Sequence, residues 1–358
     1  MSRVQRLVEL MKEKSLDAMF IMKLSNVRYV SRFTDEASYL LVTKNNNYFI
    51  TDGRFTEQAE IQCPEFKVLN WRNTGGSIGE CVKVILTEWE KDITNIGFEK
   101  DKVTFGLYEG IKNSNPNIEL VPTAGLVDGL RYVKDAEEKK FMVEAARIAD
   151  KAFSEILNFV KPGMTENEVS LQLEYFMRKE GAEGVSFDTI LISGTKTSLL
   201  HGKPDDKVIE NGEFLLFDFG ALYKGYHSDM TRTIMIGEPD EKQVEVYNLV
   251  RKAEEEAVKT VKAGVKTDVP DKKAREVLDK YIEYYYPGIG HGVGLELHEE
   301  PFISNVGNRF FKEDCIVTVE PGIYIPGWGG VRVEDSVIVT EEGCEIITHS
   351  SKDLIIIK

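Results

Sequence analysis

The sequence contains few cysteines, and their spacing excludes two kinds of protein. The 358 residues include only four, Cys63, Cys81, Cys315 and Cys344, and no two of them form a CxxC pair. This spacing fits neither a disulfide scaffold nor a zinc site built from thiolates. We therefore expect four reduced cysteines with a structural role.

Long apolar runs and clusters of basic residues are also missing. The segment 1–13 mixes charged with apolar residues and predicts neither a signal peptide nor a membrane anchor. The formal charge is −15 and the isoelectric point is near 5.0, which argues against a surface that binds nucleic acid or anionic lipid. We expect a cytoplasmic protein with no nucleic-acid or membrane partner.

The chain does have enough apolar residues for a large core. Hydrophobic residues make up 42% of the sequence, and the length allows two domains. Apolar residues at helical spacing in segment 4–11 precede a short apolar run at 18–22, which predicts an α/β beginning. Two apolar runs around Lys44-Asn-Asn-Asn predict a β-hairpin over 39–51.

Helix signals dominate the middle of the chain. A helical pattern begins at Ala136 and is stopped by Pro162-Gly163, so we place a domain boundary near residues 130–136. Thr165 and Glu168 form a capping-box pattern that begins a second helix. Further helices are predicted at about 241–262 and 270–285.

The first chemical signal is Asp218, which lies inside the apolar run FLLFDFG. A bare buried carboxylate is unfavourable without a partner. If Lys224-Gly225 is a two-residue hairpin turn, Asp218 pairs with Thr231, and Asp229 lies opposite Gly220. Both carboxylates then share one face, where a metal ion could bridge them. The alternative is that Asp229 caps a turn and Asp218 pairs with a basic residue.

A second hairpin carries another acidic pair. Glu320 and Glu334 flank the turn region 326–330, and pairing about Gly327 sets them opposite each other. Two facing carboxylates repel each other unless protons or cations lie between them. Four such acids indicate two metal ions.

The glycine-rich segment GIGHGVGLELHEEP supplies His291 as a further metal ligand, although a lone histidine in such a segment is often structural. His298 follows seven residues later, on the opposite face of a regular strand, so we assign it to the substrate side. Ligands that are mostly carboxylate oxygens with one imidazole favour Mn²⁺, with Co²⁺ or Zn²⁺ as alternatives.

The ordered set of acids and histidine resembles the pita-bread metallopeptidases, which include methionine aminopeptidase, aminopeptidase P and prolidase. The motifs that carry the resemblance are DFGALYKGYHSDMTRT, GHGVGLELHE, VEPGIYIPG and GVRVEDSVIVT. Residues 1 to about 130 resemble the N-terminal domain shared by aminopeptidase P, prolidase and creatinase. The resemblance implies an α/β fold with a creatinase-like domain over 1–132, a pita-bread catalytic domain over 133–358, and a homodimer.

The resemblance also implies roles for individual residues. Asp218 would bind one ion, Asp229 and Glu334 both ions, and His291 with Glu320 the second. Glu320 would in addition accept a proton during catalysis. The remaining site residues would contact substrate, and they are His201, His298 and Arg332. His201 and His298 would also act in catalysis, by stabilising the developing oxyanion. Arg332 shares a strand face with Glu334 and could orient that ligand, or it could form a plain salt bridge.

One position departs from the family pattern. Relatives commonly have a histidine four residues before the metal histidine, and this chain has Pro287 there. The predicted function is an Xaa-Pro aminopeptidase that acts on proline-containing peptides, with an Xaa-Pro dipeptidase as the alternative. Pro287 motivates a third reading, a catalytically impaired peptide-binding protein.

Overall fold

The structure is a computed structural model that describes all 358 residues. The chain divides into two compact units, Met1–Arg131 and Tyr132–Lys358. Both units combine helices with sheets, so the predicted α/β class is confirmed. None of the helices has the length and apolar character needed to cross a membrane.

The first unit is built around one six-stranded sheet, in the order β4-β3-β2-β1-β5-β6. Its strands are β1 (Ala18–Ile21), β2 (Tyr39–Thr43), β3 (Asn47–Thr51), β4 (Lys67–Asn70), β5 (Asn95–Glu99) and β6 (Glu119–Thr123). Its helices are α1 (Arg3–Glu13), α2 (Leu24–Ser31), α3 (Thr56–Gln62), α4 (Ile78–Glu88), α5 (Phe105–Ser114) and α6 (Asp128–Arg131). The antiparallel pairing of β2 with β3 confirms the predicted hairpin.

The second unit contains four α-helices, and the predicted capping box begins one of them. They are α7 (Ala136–Ile156), α8 (Glu166–Lys179), α9 (Glu241–Val258) and α10 (Val269–Val277). At the start of α8 the Thr165 hydroxyl accepts a hydrogen bond from the Glu168 N–H, and the Glu168 carboxylate accepts one from the Thr165 N–H. Two backbone donors at the helix start are thereby satisfied.

The strands of the second unit form four sheets, and their bounds show how short many of them are. They are β7 (Gly184–Val185), β8 (Ile190–Ser193), β9 (Glu213–Phe219), β10 (Ala221–Tyr223), β11 (Tyr226–His227), β12 (Met230–Ile236), β13 (Gly290–Gly292), β14 (Glu299–Ile303), β15 (Ile316–Val319), β16 (Gly322–Ile325), β17 (Gly329–Arg332), β18 (Asp335–Val339), β19 (Cys344–Ile346) and β20 (Ile356–Ile357).

The first long hairpin runs from β9 to β12 and is interrupted once. Thr231 pairs with Asp218 before the gap, and Leu222 pairs with His227 beyond it, so the same register continues on both sides. The turn residues Lys224 and Gly225 both have positive φ, 50° and 75°, as a two-residue hairpin turn requires. The turn and register predicted from the sequence are confirmed.

The second long hairpin, β15 to β18, has the same construction. Val319 pairs with Asp335, and Gly322 pairs with Arg332 in a separate two-stranded sheet. The gap between these ladders contains Glu320 and Glu334. Backbone groups freed by a gap need other partners, and the Glu334 N–H donates to the Thr231 carbonyl at 3.2 Å.

One predicted helix is wrong in its second half. The expected helix over 270–285 ends at Val277 and is followed by a separate 3₁₀ segment, Asp279–Tyr284. Tyr281 has a φ of −119°, outside the helical range. The Tyr285 hydroxyl donates to the buried Asp271 carboxylate at 2.6 Å, which brings the end of this segment back against α10. The helix expected over 241–262 also ends earlier, at Val258.

Gly290 lies next to the predicted ligand His291, and its missing side chain is a structural requirement. A Cβ atom there would be 2.0 Å from the Thr318 carbonyl oxygen. We expect Gly290→Ala to lower the free energy of unfolding of the metal-free protein by about 1–3 kcal/mol, because the two strands must separate. Chemical denaturation measures this change.

Gly343→Ala is the matched control, because no atom lies within 4 Å of its added Cβ. It should change the free energy of unfolding by less than about 0.5 kcal/mol. Equal stability of the two variants would contradict the close approach at Gly290.

Candidate metal centre

Three carboxylates meet where the two interrupted hairpins come together. One oxygen from each of Asp218, Asp229 and Glu334 lies within 4.8 Å of the other two. All three residues are buried, with exposed fractions of 9%, 5% and 1%. Asp218 is in β9, whereas Asp229 and Glu334 lie in the gaps between strands.

His291 and Glu320 extend this cluster on one side. His291 Nε2 lies 3.5 Å from an Asp229 oxygen and 3.5 Å from Glu320 Oε1. His291 Nδ1 lies 3.0 Å from the Gly292 carbonyl, which can only accept, so Nδ1 carries the proton. Nε2 is then left with a lone pair directed at the carboxylates, as a metal-binding imidazole needs.

The electrostatics of the cluster are unfavourable without cations. Burial raises the pKa of Asp229 well above its usual value, and the charges of Glu334, Asp218 and Glu320 raise it further. Burial together with Glu320 and Asp218 likewise raises the pKa of Glu334. Burial raises the pKa of Glu320 to about 7. Neighbouring acids that cannot all ionise need either protons or metal ions between them.

The bonding of Glu334 tests whether the cluster fits a metal. One oxygen accepts a hydrogen bond from the Thr231 hydroxyl at 2.7 Å. The other oxygen, Oε1, is buried and has no hydrogen-bond partner. An unsatisfied buried carboxylate oxygen is costly and requires an explanation. Beside two further carboxylates and an imidazole, it fits a ligand for a divalent cation.

Arg332 is buried at the edge of the cluster and forms an ion pair with Asp218. Its Nε donates to the Thr231 hydroxyl oxygen at 3.0 Å, and another nitrogen donates to the Tyr324 hydroxyl at 2.9 Å. Arg332 therefore reaches Glu334 through Thr231, while its direct carboxylate contacts are the salt bridge to Asp218 and a longer contact of 4.0 Å with Glu320. Burial alone would lower the pKa of Arg332, but Tyr324, Asp218 and Glu320 raise it well above the usual value.

The two histidines predicted to contact substrate, His201 and His298, differ in how closely they approach the cluster. The His298 ring centroid lies 4.3 Å from that of His291, because residues 293–298 leave the strand and bend back. The expectation that His298 lies on the opposite face from His291 is therefore wrong, because these residues do not form a regular strand. Burial lowers the pKa of His298, and His291 lowers it further. His201 is exposed and lines a cavity together with Asp218 and Glu320.

Four supporting residues escaped the sequence reasoning. Thr231 links Arg332 to Glu334, and Thr318 accepts a hydrogen bond from the His291 N–H and donates one to Glu320. Tyr324 and Tyr286 line the same cavity as His201. The predicted pairing of Thr231 with Asp218 was the available signal for the first of them. Tyr286 had no signal beyond its place beside Pro287.

Comparison with known families identifies the chain. Its sequence matches the model of metallopeptidase family M24 over residues 140–341, and that of the creatinase/prolidase N-terminal domain over residues 3–133. The chain belongs to metallopeptidase family M24. The predicted pita-bread family, the creatinase-type N-terminal domain and the metallo-exopeptidase class are confirmed.

Similar proteins cover this family M24 chain along nearly its whole length. A structure of an Xaa-Pro dipeptidase from Bacillus anthracis has 43% identity and a TM-score of 0.95, with 99% of each chain covered. An X-Pro aminopeptidase from Thermotoga maritima has 38% identity and a TM-score of 0.91, with 100% of each covered. An Xaa-Pro dipeptidase from Pyrococcus horikoshii is 35% identical, covering 99% of this chain and 98% of the relative.

Binding of a divalent ion should release protons at slightly acidic pH. The folded apoprotein holds protons on Glu320 up to about pH 7, and on Asp229 and Glu334 above their usual range. Ligands must lose these protons before they bind metal, so the affinity for Mn²⁺ should rise as the pH rises from 6 to 8. Titration calorimetry in buffers of different ionisation enthalpy measures the release. An affinity independent of pH, with no proton release at pH 6, would contradict the raised pKa values.

Proposed function

We propose that the protein is a metal-dependent Xaa-Pro dipeptidase, which hydrolyses the bond between an amino acid and a C-terminal proline. The observation that carries the proposal is the convergence of three buried acids, with Glu320 and His291 beside them and an unsatisfied Glu334 oxygen, in a chain similar over its length to Xaa-Pro dipeptidases. The sequence favoured the aminopeptidase first, and the comparisons support its dipeptidase alternative better.

An Xaa-Pro aminopeptidase is the second candidate. It is favoured by the similarity to the X-Pro aminopeptidase from Thermotoga maritima. Both activities break the same kind of bond and differ in whether substrate continues beyond the proline.

Two divalent ions would be held by the five clustered residues. Asp218 is proposed for one ion, His291 and Glu320 for the other, and Asp229 with Glu334 for both. We propose Mn²⁺ because the donors are mostly carboxylate oxygens, with Co²⁺ or Zn²⁺ as alternatives. When bound, such ions lower the pKa of a water molecule toward neutrality and polarise a carbonyl group.

The protein's own residues supply proton transfer and orientation. Glu320 is proposed as the proton acceptor, because its carboxylate lies beside the cluster and lines the cavity together with His201, within reach of a proton released there. The lowered pKa of His298 keeps its imidazole neutral there, so that one nitrogen can donate a hydrogen bond to the developing oxyanion. His201 is proposed to do the same from the cavity wall.

The cavity beside the cluster is the proposed substrate site. Its volume is about 70 Å³, and it is lined by Leu200, His201, Asp218, Tyr286, Gly288, Glu320, Gly322, Tyr324 and Arg332. His201 and Arg332 carry the cavity's side-chain nitrogen atoms. Arg332 already contacts Asp218, Thr231 and Tyr324, whereas His201 is exposed. We assign His201, His298 and Arg332 to substrate contact.

Further features of the proposal concern the whole chain. The domains are proposed as a creatinase-like domain over 1–132 and a catalytic domain over 133–358. A homodimer in the cytoplasm, acting on proline-containing peptides, is the proposed state of the protein.

A matched pair of peptides separates the candidate functions. Protein loaded with Mn²⁺ is incubated with an Xaa-Pro dipeptide and with the tripeptide that extends it by one residue, and mass spectrometry follows release of the first amino acid. We expect the dipeptide to be cleaved and the tripeptide to remain intact. Cleavage of both would favour the aminopeptidase, and cleavage of neither would favour the impaired binding protein suggested by Pro287.

Removing one shared ligand should abolish metal binding and turnover together. We expect Asp229→Asn and Glu334→Gln each to weaken Mn²⁺ binding by more than about 100-fold. Loss of an outer hydrogen-bond partner weakens metal binding by about 10–100-fold, and loss of a ligand should weaken it more. Glu320→Gln should reduce kcat more than it reduces metal content. Equilibrium dialysis with metal analysis, together with steady-state kinetics, measures these effects.

Asp188→Asn is the matched control, because Asp188 is exposed and its carboxylate pairs with the exposed Lys203. It should leave metal content and rate unchanged. Normal metal content and rate in Asp229→Asn or Glu334→Gln would rule out the proposed ligand set.

A further inference from the structure

A second group of buried charges lies behind Glu334, on the side away from the acidic cluster. It consists of Arg232, Asp335, Lys352 and Glu254, which we call the buried quartet. Arg232 and Asp335 are each 1% exposed, and Glu254 is fully buried, whereas the Lys352 side chain is 20% exposed. The quartet contains two basic and two acidic side chains.

Arg232 ties the quartet to the gap that carries Glu334. One guanidinium nitrogen donates to the carbonyls of both Thr231 and Glu334. A second nitrogen donates to Asp335 Oδ1 at 2.7 Å. Glu334 lies outside the strand ladder, so its backbone is held by the Thr231 carbonyl at its N–H and by Arg232 at its carbonyl. These two bonds orient the backbone from which the Glu334 carboxylate projects.

Of the other two members, Glu254 lies in α9 and Lys352 comes from the C-terminal segment, residues 347–353. Its Ser350 carbonyl accepts two hydrogen bonds from Arg232, at 3.2 and 2.8 Å. Lys352 Nζ donates to Asp335 Oδ2 at 2.6 Å and to Glu254 Oε2 at 2.8 Å. The Asp335 carboxylate therefore joins the two cations: its Oδ1 accepts from Arg232 and its Oδ2 accepts from Lys352.

Separate contacts anchor the C-terminal segment to the rest of the second unit. The Asp150 carboxylate accepts hydrogen bonds from the N–H groups of His349 and Ser350, each at 2.8 Å. The Tyr247 hydroxyl donates to the carbonyls of Lys352 and Asp353. The segment would therefore keep its place when the Lys352 charge alone is removed.

Glu254 shows why Lys352 is needed electrostatically. Its second oxygen, Oε1, is buried without a hydrogen-bond partner, and burial together with Asp335 raises its pKa to about 8. Removing one member of a buried ion pair leaves an uncompensated charge, which is strongly destabilising. A test of Lys352 must therefore separate this general cost from any effect on the metal centre.

We propose that Lys352 and Arg232 are positioning residues of the metal centre, which fix the Glu334 carboxylate through Asp335 and the Glu334 backbone. The C-terminal segment is then part of the metal site, although none of its residues is a ligand. This inference rests on the proposed ligand set. Outer partners of metal ligands typically contribute 10–100-fold to metal affinity.

The test is a titration of full-length apoprotein with Mn²⁺, followed through the electron paramagnetic resonance signal of the free ion. We expect Lys352→Met to raise the dissociation constant for Mn²⁺ about 10-fold. Lys352→Arg keeps the charge and should stay close to the wild type. Lys358→Met is the control, because Lys358 has an 81% exposed side chain and pairs with exposed Glu238.

The double variant Lys352→Met/Glu254→Gln separates positioning from charge balance. Neutralising Glu254 removes the uncompensated buried charge, so the melting temperature of the apoprotein should return toward that of the wild type while Mn²⁺ binding stays weak. Wild-type affinity in Lys352→Met, or full recovery of affinity in the double variant, would overturn the positioning role. A wild-type protein that binds no Mn²⁺ would instead overturn the ligand set and, with it, this inference.

Discussion

The repulsion between buried carboxylates is the constraint on which the second unit depends. Asp218, Asp229, Glu320 and Glu334 come from two hairpins and share a region from which water is largely removed. Burial and the neighbouring charges raise the pKa values of Asp229, Glu320 and Glu334, because so many close carboxylates cannot all be charged without compensation. A fold that brings them together gains no stability from them alone, so their placement serves the binding of cations.

Both hairpins are interrupted where the acids occur. The register continues across each gap, so the interruption leaves the pairing unchanged while it frees Asp229, Glu320 and Glu334 from the ladder. Other contacts then replace the missing ladder bonds at Glu334: its N–H donates to the Thr231 carbonyl, and its carbonyl accepts from Arg232. The Glu334 carboxylate accepts a separate hydrogen bond from the Thr231 hydroxyl, which also accepts one from Arg332. Polar contacts therefore hold both the carboxylate and the backbone of Glu334.

Much of this arrangement could be predicted from the sequence, because hairpin pairing follows simple rules. Once the turn is placed at Lys224-Gly225, the residue count pairs Asp218 with Thr231. A second hairpin centred at Gly327 places Glu320 opposite Glu334 in the same way. Contacts that depend on irregular backbone could not be predicted this way. The bend at 293–298 that brings His298 beside His291 and the kink at Tyr281 have no periodic signal. The salt bridge from Arg332 to Asp218 joins separate hairpins, so no local spacing reveals it.

The two hairpins together are proposed to form one site for two ions. Anomalous diffraction from crystals grown with Mn²⁺, recorded on both sides of the manganese absorption edge, would locate the ions. We expect two anomalous peaks, with Asp229 and Glu334 contacting both and Asp218 and His291 on different ions. A single peak, or manganese bound away from Glu334, would contradict the proposal.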